Sequence, residues 1–578
     1  MLRRRMLAGL ALTSVTAFGA VREWGPDQTR PILEKTLVVR LSPGLDHLSP
    51  GERKAVAELV AAGAPLQRIY ERQLHRQALT AYRALEARRP IREYLLSLYR
   101  LWQGPIATDL DNRREPFLPV EPTVPGKNVY PWGVAKERVE AFLTTHEAAR
   151  DDILNGRTVV REAADVPGDL AALAARPDLA ALHPGLKARI RAGSSGFYAI
   201  PYALAYAAEL DEAGGHLLEA ARAVRSEDED LADYLANRRR DFLTNDYESG
   251  DASWIMGSFR NLNAQIGSFE TYDDELFGVK SFMSHSVLVR DAERTRTLQA
   301  TLRGIQSIED ALPYEPHRRV RENIPVGVYN VVADFGQARG TNTASILPNE
   351  ARITRRYGRT ILLRYNLMTH PDLFAISQAA WTAAVAPEHA GDLGQEGSFY
   401  RTLWHEIGHY LGPDRDRSGR DLDQALQEDA DLFAELKSDL VSLFAAQALH
   451  RSGDYDDARL KDVYAGGILR TLQKNQPRRG QPYQTMQLMQ MNYFLEKGLL
   501  ELDGAGRLRI HYARYPEVVA SMLEKVLAIQ AAGDKPAADA LIDRYDTWTE
   551  ELHERLGQAM RATERYRYRL VRYQALGE

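Results

Sequence analysis

Helical spacing dominates this chain, and one interruption in it most limits the folds available. Between Val326 and Met368 the pattern changes to β-branched runs, Val326-Gly-Val-Tyr-Asn-Val-Val-Ala and Arg359-Thr-Ile-Leu-Leu-Arg-Tyr, separated by turn residues. These predict strands of a small sheet. Elsewhere apolar residues recur at helical spacing. They do so from Leu48 to Trp102, with Ser49-Pro50 as a start signal, then onward to about Arg303, and again from Ser398 to about Ile542. Gln103 to Trp132 is punctuated by Pro and Gly and reads as loop. The expected class is α+β, predominantly α-helical. A length of 578 residues admits roughly four domains, and no internal repeat or low-complexity tract divides them.

Composition narrows the chemistry. The chain has no cysteine, which excludes a disulfide framework, thiolate zinc fingers, iron–sulfur clusters and a cysteine nucleophile. Any metal site must be built from imidazole and carboxylate. The formal charge is −5, a poor electrostatic start for a nucleic-acid binder. Arg565-Tyr-Arg-Tyr-Arg-Leu-Val-Arg-Tyr alternates base and aromatic. In an acidic protein it reads better as a terminal segment packing its tyrosines on the body, so no nucleic-acid partner is expected.

The first twenty residues have the form of an export signal. Arg3, Arg4 and Arg5 precede an uncharged, largely apolar run from Met6 to Phe18, then the small residues Gly19 and Ala20. The run is too short to span a bilayer, and the consecutive arginines also admit a twin-arginine signal. Cleavage after Gly19 would remove three positive charges and move the formal charge to −8. An exported protein is expected, in a bacterial periplasm and free of membrane once the signal is removed.

His405-Glu406-Ile407-Gly408-His409 matches HExxH. Two histidines four apart share a helical face, so both imidazoles can reach one zinc ion, and the glutamate between them can act as base toward a metal-activated water. Chance alone expects ~0.05 such matches, so the motif needs support from its context. Phe399, Leu403, Ile407 and Leu411 form an apolar stripe on another face, and Gly412-Pro413 stops the helix. A catalytic zinc needs three protein ligands. In the next helix, with apolar positions Leu432, Leu436, Leu440 and Leu443, Glu435 and Asp439 stand at i, i+4. Glu435 can complete a two-His, one-Glu set, and Asp439 can orient a histidine through its other ring nitrogen.

These residues resemble the zinc motifs of the dipeptidyl peptidase III family. Trp404-His-Glu-Ile-Gly-His-Tyr-Leu-Gly-Pro413 and Ala425 to Leu443 are similar to its shorter-motif bacterial and plant branch, in which the plant version is fused to a nudix hydrolase domain. Ile266 to Gly278, Gly126-Lys-Asn-Val-Tyr-Pro131, Leu347-Pro-Asn349-Glu350 and Tyr493 to Gly498 follow in the family's order, so the likeness covers about residues 40–545. The resemblance implies one Zn2+ per chain on His405, His409 and Glu435, with Glu406 as general base and Tyr272 steadying the oxyanion. It also implies that Glu270 receives the amino group of an oligopeptide substrate and that Asn349 holds its backbone.

The implied fold has two lobes and a wide cleft, in a monomer or homodimer. Residues 21–290 and 326–370 would form a mixed lobe with a small β-barrel. Residues 291–325 and 371–545 would form the helical zinc lobe, followed by a C-terminal segment, 546–578. Three positions depart from the family. Ile346 stands for an asparagine, Tyr483 for a histidine said to stabilise the transition state, and Gln487 for an arginine. A phenol still donates a hydrogen bond, so Tyr483 is a candidate substrate contact. The expected function is a zinc exopeptidase acting near the amino end of oligopeptides. The alternatives are a zinc hydrolase of non-peptide amides, esters or lactones, and a catalytically idle binding protein. Retention of His405, Glu406, His409 and Glu435 argues against the last.

Overall fold

The computed structural model describes residues 22–320, 324–340, 342–478 and 481–578. The export-signal segment, residues 1–20, lies outside the described residues. The elements that position the site are, in chain order, β1 (Thr36–Leu41), α1 (Pro50–Leu74), α2 (Ala207–Val224), β2 (Leu262–Ser268), β3 (Met283–Arg290), β4 (Val326–Gly336), β5 (Ala344–Leu347), β6 (Thr360–Arg364), α3 (Gly397–Gly408), α4 (Ala430–Ser452), α5 (Asp457–Thr471), α6 (Pro482–Glu496) and β7 (Tyr568–Tyr573). Local signals explain their edges. Ser49 accepts a hydrogen bond from the Glu52 N–H while Glu52 reaches back to the Ser49 N–H, a reciprocal cap that starts α1.

Strands β2 to β6 form one five-stranded sheet in the order β2-β3-β4-β6-β5. Its pairs are antiparallel except β4–β6, which is parallel. The β-branched runs are therefore strands, as their composition predicts. The expected barrel is not closed among the described residues: β2 and β5 are the free edges of an open sheet. The expectation of helix up to Arg303 also fails, because β2 and β3 lie within that stretch, as do the paired strands Thr158–Glu162 and Phe197–Pro201. Within the expected loop Gln103–Trp132, Ile106–Thr108 pairs with Arg114–Pro116.

The apolar residues bury into two large clusters and a smaller N-terminal one. The first cluster gathers α1, α2 and β3 with Tyr329, Val331 and Leu362; the second gathers α3, α4 and α6 with Val328, Ile361 and Leu363. Successive residues of β6 thus point into different clusters, as the two-residue period of a strand requires. The sheet is the partition between them. The apolar stripe Phe399, Leu403, Ile407 and Leu411 is buried in the second cluster. The C-terminal strand β7 pairs in parallel with β1, and buried Tyr573 donates to Asp334 Oδ2 at 3.0 Å. This base–aromatic segment therefore packs on the body.

Candidate metal centre and its facing loop

The centre forms where α3 and α4 cross. Gly408, inside the HExxH motif, permits the close approach: a Cβ there would stand 3.0 Å from the Ser438 carbonyl oxygen. Lys437 fastens the same crossing. Its buried ammonium donates to the Gly408 and Leu411 carbonyls at 2.5 and 2.8 Å, where the C-terminal end of α3 leaves acceptors unpaired. With the backbones held so, donor atoms of His405, His409 and Glu435 all lie within 4.8 Å of one another. His405 Nε2 is 3.0 Å and His409 Nε2 3.8 Å from Glu435 Oε2.

Two observations test whether a metal fits. Glu435 Oε2 is buried without a hydrogen-bond partner, the position a cation would fill, whereas Oε1 accepts from the Tyr483 hydroxyl at 3.1 Å. On the other side, His405 Nδ1 lies 2.6 Å from Asp439 Oδ1, so its Nε2 faces the centre. The donor set of two imidazoles and one carboxylate suits zinc. Asp439 is itself held by Arg401 at 2.6 Å and by Gln490 at 3.3 Å, with Arg470 3.7 Å away. Burial works against a charged Asp439, but the charges of Arg401 and His405 prevail and hold it well below the usual carboxylate range. Burial also pulls His405 down, yet Asp439 and Glu435 raise it to about 9. His409 is pushed well below its ordinary value by burial and by the charges of His405 and Lys437. One imidazole is thus neutral without help, and the other must give up a proton to bind a metal.

Glu406 makes no hydrogen bond among the described residues. Burial raises its carboxyl above the usual range, Glu435 adds to this, and His405, Arg401 and Arg470 oppose it. A carboxylate so raised takes up a proton more readily than an ordinary glutamate.

A loop from the other side of the partition faces this centre. Residues 269–282 join β2 to β3 and carry Glu270 and Tyr272. Asp274 anchors the loop by accepting from the N–H groups of Leu276, Phe277, Val279 and Lys280 and from the Tyr130 hydroxyl. Lys280 Nζ, buried, donates to Ile153 O, Asn155 O and Thr158 Oγ1 at 2.7–2.8 Å. The segment Gly126–Pro131 therefore acts as a brace, through Tyr130 and through Lys127, whose ammonium is 3.0 Å from Glu275. At the loop's tip Tyr272 is 79% exposed. The protein crowded about its hydroxyl and the carboxylates of Glu270 and Glu435 push the phenol up to about 12.

Asn349 follows β5 and donates from Nδ2 to Glu270 Oε2 at 3.1 Å. Arg157 holds the two segments in register by bonding both Glu350 and the Ser268 carbonyl. Burial raises Glu270 above its ordinary value, against the hydrogen bonds from Asn349 and Tyr272. Tyr483 is held protonated by burial and by the charges of Glu435 and Glu406. The structure thus brings together every candidate site residue. It places Tyr483 on Glu435, while Gln487 pairs with Gln473. Sequence reasoning missed Arg401, Arg470, Gln490 and Lys437. Only Arg401, one turn before His405, and Lys437, between Glu435 and Asp439, carried a positional signal.

No model of a known protein family matches the chain. The solved structure of DPP III from Caldithrix abyssi superposes with a TM-score of 0.80 at 23% identity, covering 95% of this chain and 99% of that one. The chain has the dipeptidyl peptidase III fold. Dipeptidyl-peptidase III from Corallococcus sp. strain EGB shares that fold with a TM-score of 0.73 at 22% identity, covering 96% of this chain and 99% of that one. In sequence, the chain is 26% identical over 363 residues to Nudix hydrolase 3 of Arabidopsis thaliana, which is 62% of this chain and 46% of that protein. The match thus spans less than half of that relative. No helix among the described residues is long and apolar enough to cross a membrane.

Proposed function

We propose that this chain is a zinc metallopeptidase of dipeptidyl peptidase III type, hydrolysing peptide bonds near the amino end of oligopeptides. One observation carries the reading: the His405–His409–Glu435 cluster, with Glu435 Oε2 left unpartnered, is faced by a braced loop presenting Glu270 and Tyr272. Two lobes, residues 21–290 with 326–370 and residues 291–325 with 371–545, flank a substrate cleft. The partition of the core into two large clusters supports this division. The N-terminal pattern supports export to a periplasm.

Zinc held by His405, His409 and Glu435, one ion per chain, supplies a Lewis acid that acidifies water and polarises a carbonyl. Glu270 and Asn349 receive the substrate's ammonium and backbone, a charge-assisted pairing that favours peptides with a free amino end. Glu406 takes a proton from the attacking water and passes it to the leaving amine. Tyr272, protonated through the physiological range, donates to the carbonyl oxygen as negative charge develops there. Tyr483 occupies the second oxygen of Glu435, leaving one oxygen for the metal.

One observation favours a second reading, hydrolysis of a non-peptide amide, ester or lactone. Gln487 is turned onto Gln473, so no cation stands at that position. The test is release from dipeptidyl and aminoacyl naphthylamides, with and without chelator and in E406Q. Chelator-sensitive release that E406Q abolishes is expected. Absence of any amino-terminal release, with turnover of an aryl ester instead, would overturn the first reading in favour of the second.

A further inference from the structure

A cavity of about 570 Å³ opens where β3 ends and β4 and β6 begin. Arg290, on its wall, closes β3, the strand that begins at Met283 beside the Glu270 loop. Seven residues of strand put Arg290 roughly 23 Å from Met283, whereas Trp254 on another wall lies 5.9 Å, ring to ring, from Phe269, the residue before Glu270. The cavity thus backs onto the Glu270 loop but is lined by none of the candidate site residues. Trp254 and Phe259 line it from the first hydrophobic cluster, and Leu302 and Ile324 from the second.

Two of its buried polar groups are hydrogen-bond donors that lack a good acceptor. Arg290 Nε is buried and unpartnered, and one terminal nitrogen of the same guanidinium reaches only the Tyr329 hydroxyl, at 3.4 Å. That hydroxyl is on a side chain only 3% exposed, and it accepts from Asn263 Nδ2 at 2.9 Å. Among the described residues it has nothing to donate to. Asn263 turns its Nδ2 to that hydroxyl and its Oδ1 to the Trp254 indole N–H, at 2.8 Å. The Arg303 side chain, at the rim, forms no ion pair or hydrogen bond among the described residues. No carboxylate of the described residues lines the cavity. Two guanidinium groups and a buried phenolic proton thus converge on one space walled by an indole and a phenyl ring. Buried donors without acceptors are costly, and protein interiors avoid them unless a ligand completes them.

We propose that this cavity binds a small organic anion, a carboxylate or phosphate carried on a flat apolar body. The charge pairs with Arg290 and Arg303 and accepts the Tyr329 proton, while the ring packs on Trp254 and Phe259. Such an occupant touches both hydrophobic clusters at once and so ties them together behind the Glu270 loop. The proposal stands independently of what the metal centre hydrolyses.

Isothermal titration of the whole chain with phenylacetate, phenyl phosphate, inorganic phosphate and the neutral isostere phenylacetamide tests it. Saturable binding of at least one aromatic anion is expected, tenfold or more tighter than inorganic phosphate or phenylacetamide, and the tighter of the two anions identifies the headgroup. R303E, an exposed position, should weaken that binding at least tenfold with an unchanged melting temperature. Absence of saturable binding by both aromatic anions, equal affinity for inorganic phosphate or for phenylacetamide, or undiminished binding in R303E would each overturn the proposal.

Discussion

Asp439→Asn separates two effects of one carboxylate on the metal centre. Asp439 orients His405, and as the largest of the charges around it, with Glu435 and Glu406, it also raises that imidazole, against the pull of burial, to about 9 from an ordinary 6.5. At 1.36 kcal/mol per unit the rise amounts to about 3 kcal/mol. A metal arriving at pH 7 must displace this proton, which weakens apparent affinity roughly 100-fold; affinity therefore climbs about tenfold per pH unit until pH 9 and then levels. In D439N only Glu435 and Glu406 still oppose burial at His405, so that climb becomes shallower. Lost orientation costs about 10–100-fold in affinity at every pH. Together these predict a zinc affinity 10–100-fold below wild type at pH 9.5, with a gap that closes toward pH 7.

Competition against a chelating indicator across this range measures it. The metal-free fold follows the opposite sign. A raised histidine stabilises the folded chain fully below pH 6.5, and the stabilisation is lost as pH rises through about 9. D439N should show less of this trend and be less stable by ~3 kcal/mol even above pH 9, because buried Arg401 loses its partner, with a larger deficit below pH 6.5. A gap in zinc affinity that is the same at pH 7 and 9.5, or no gap at pH 9.5, would refute the reasoning.

Three further outcomes follow from the facing loop and the metal cradle. Tyr272→Phe should lower kcat by about 10²–10³ with KM nearly unchanged, the signature of a donor used mainly in the transition state; a change confined to KM would contradict it. Glu270→Gln should instead raise KM for substrates with a free amino end and spare amino-blocked ones, as steady-state kinetics on the paired substrates would show. Lys280→Met should lower unfolding free energy by ~3 kcal/mol or more in a denaturant titration, since three buried acceptors lose their donor.

How much of this was legible in the sequence depended on range. The metal ligands were, because His405 and His409, and then Glu435 and Asp439, are related by one turn of helix and carry their geometry locally. Strands β4 and β6 were legible through β-branched runs. Strand β2 was not: Leu262-Asn-Ala-Gln-Ile-Gly-Ser is buried on both faces and shows no alternation. Its polar residues are satisfied only by distant partners. Asn263 bonds Trp254 and Tyr329, and Gln265 bonds Ser284 and Arg364. The same limit hid Gln490 and Arg470, which reach Asp439 from separate helices. The barrel expected around the strands became an open sheet because its two edges, β2 and β5, do not pair.

The central claim is that His405, His409 and Glu435 together hold one zinc ion on which hydrolysis depends. Elemental analysis of purified wild type and Glu435→Ala, with circular dichroism confirming that the variant is folded, tests it most directly. The account predicts one zinc per wild-type chain and a near-empty variant. Stoichiometric zinc in folded Glu435→Ala would contradict it.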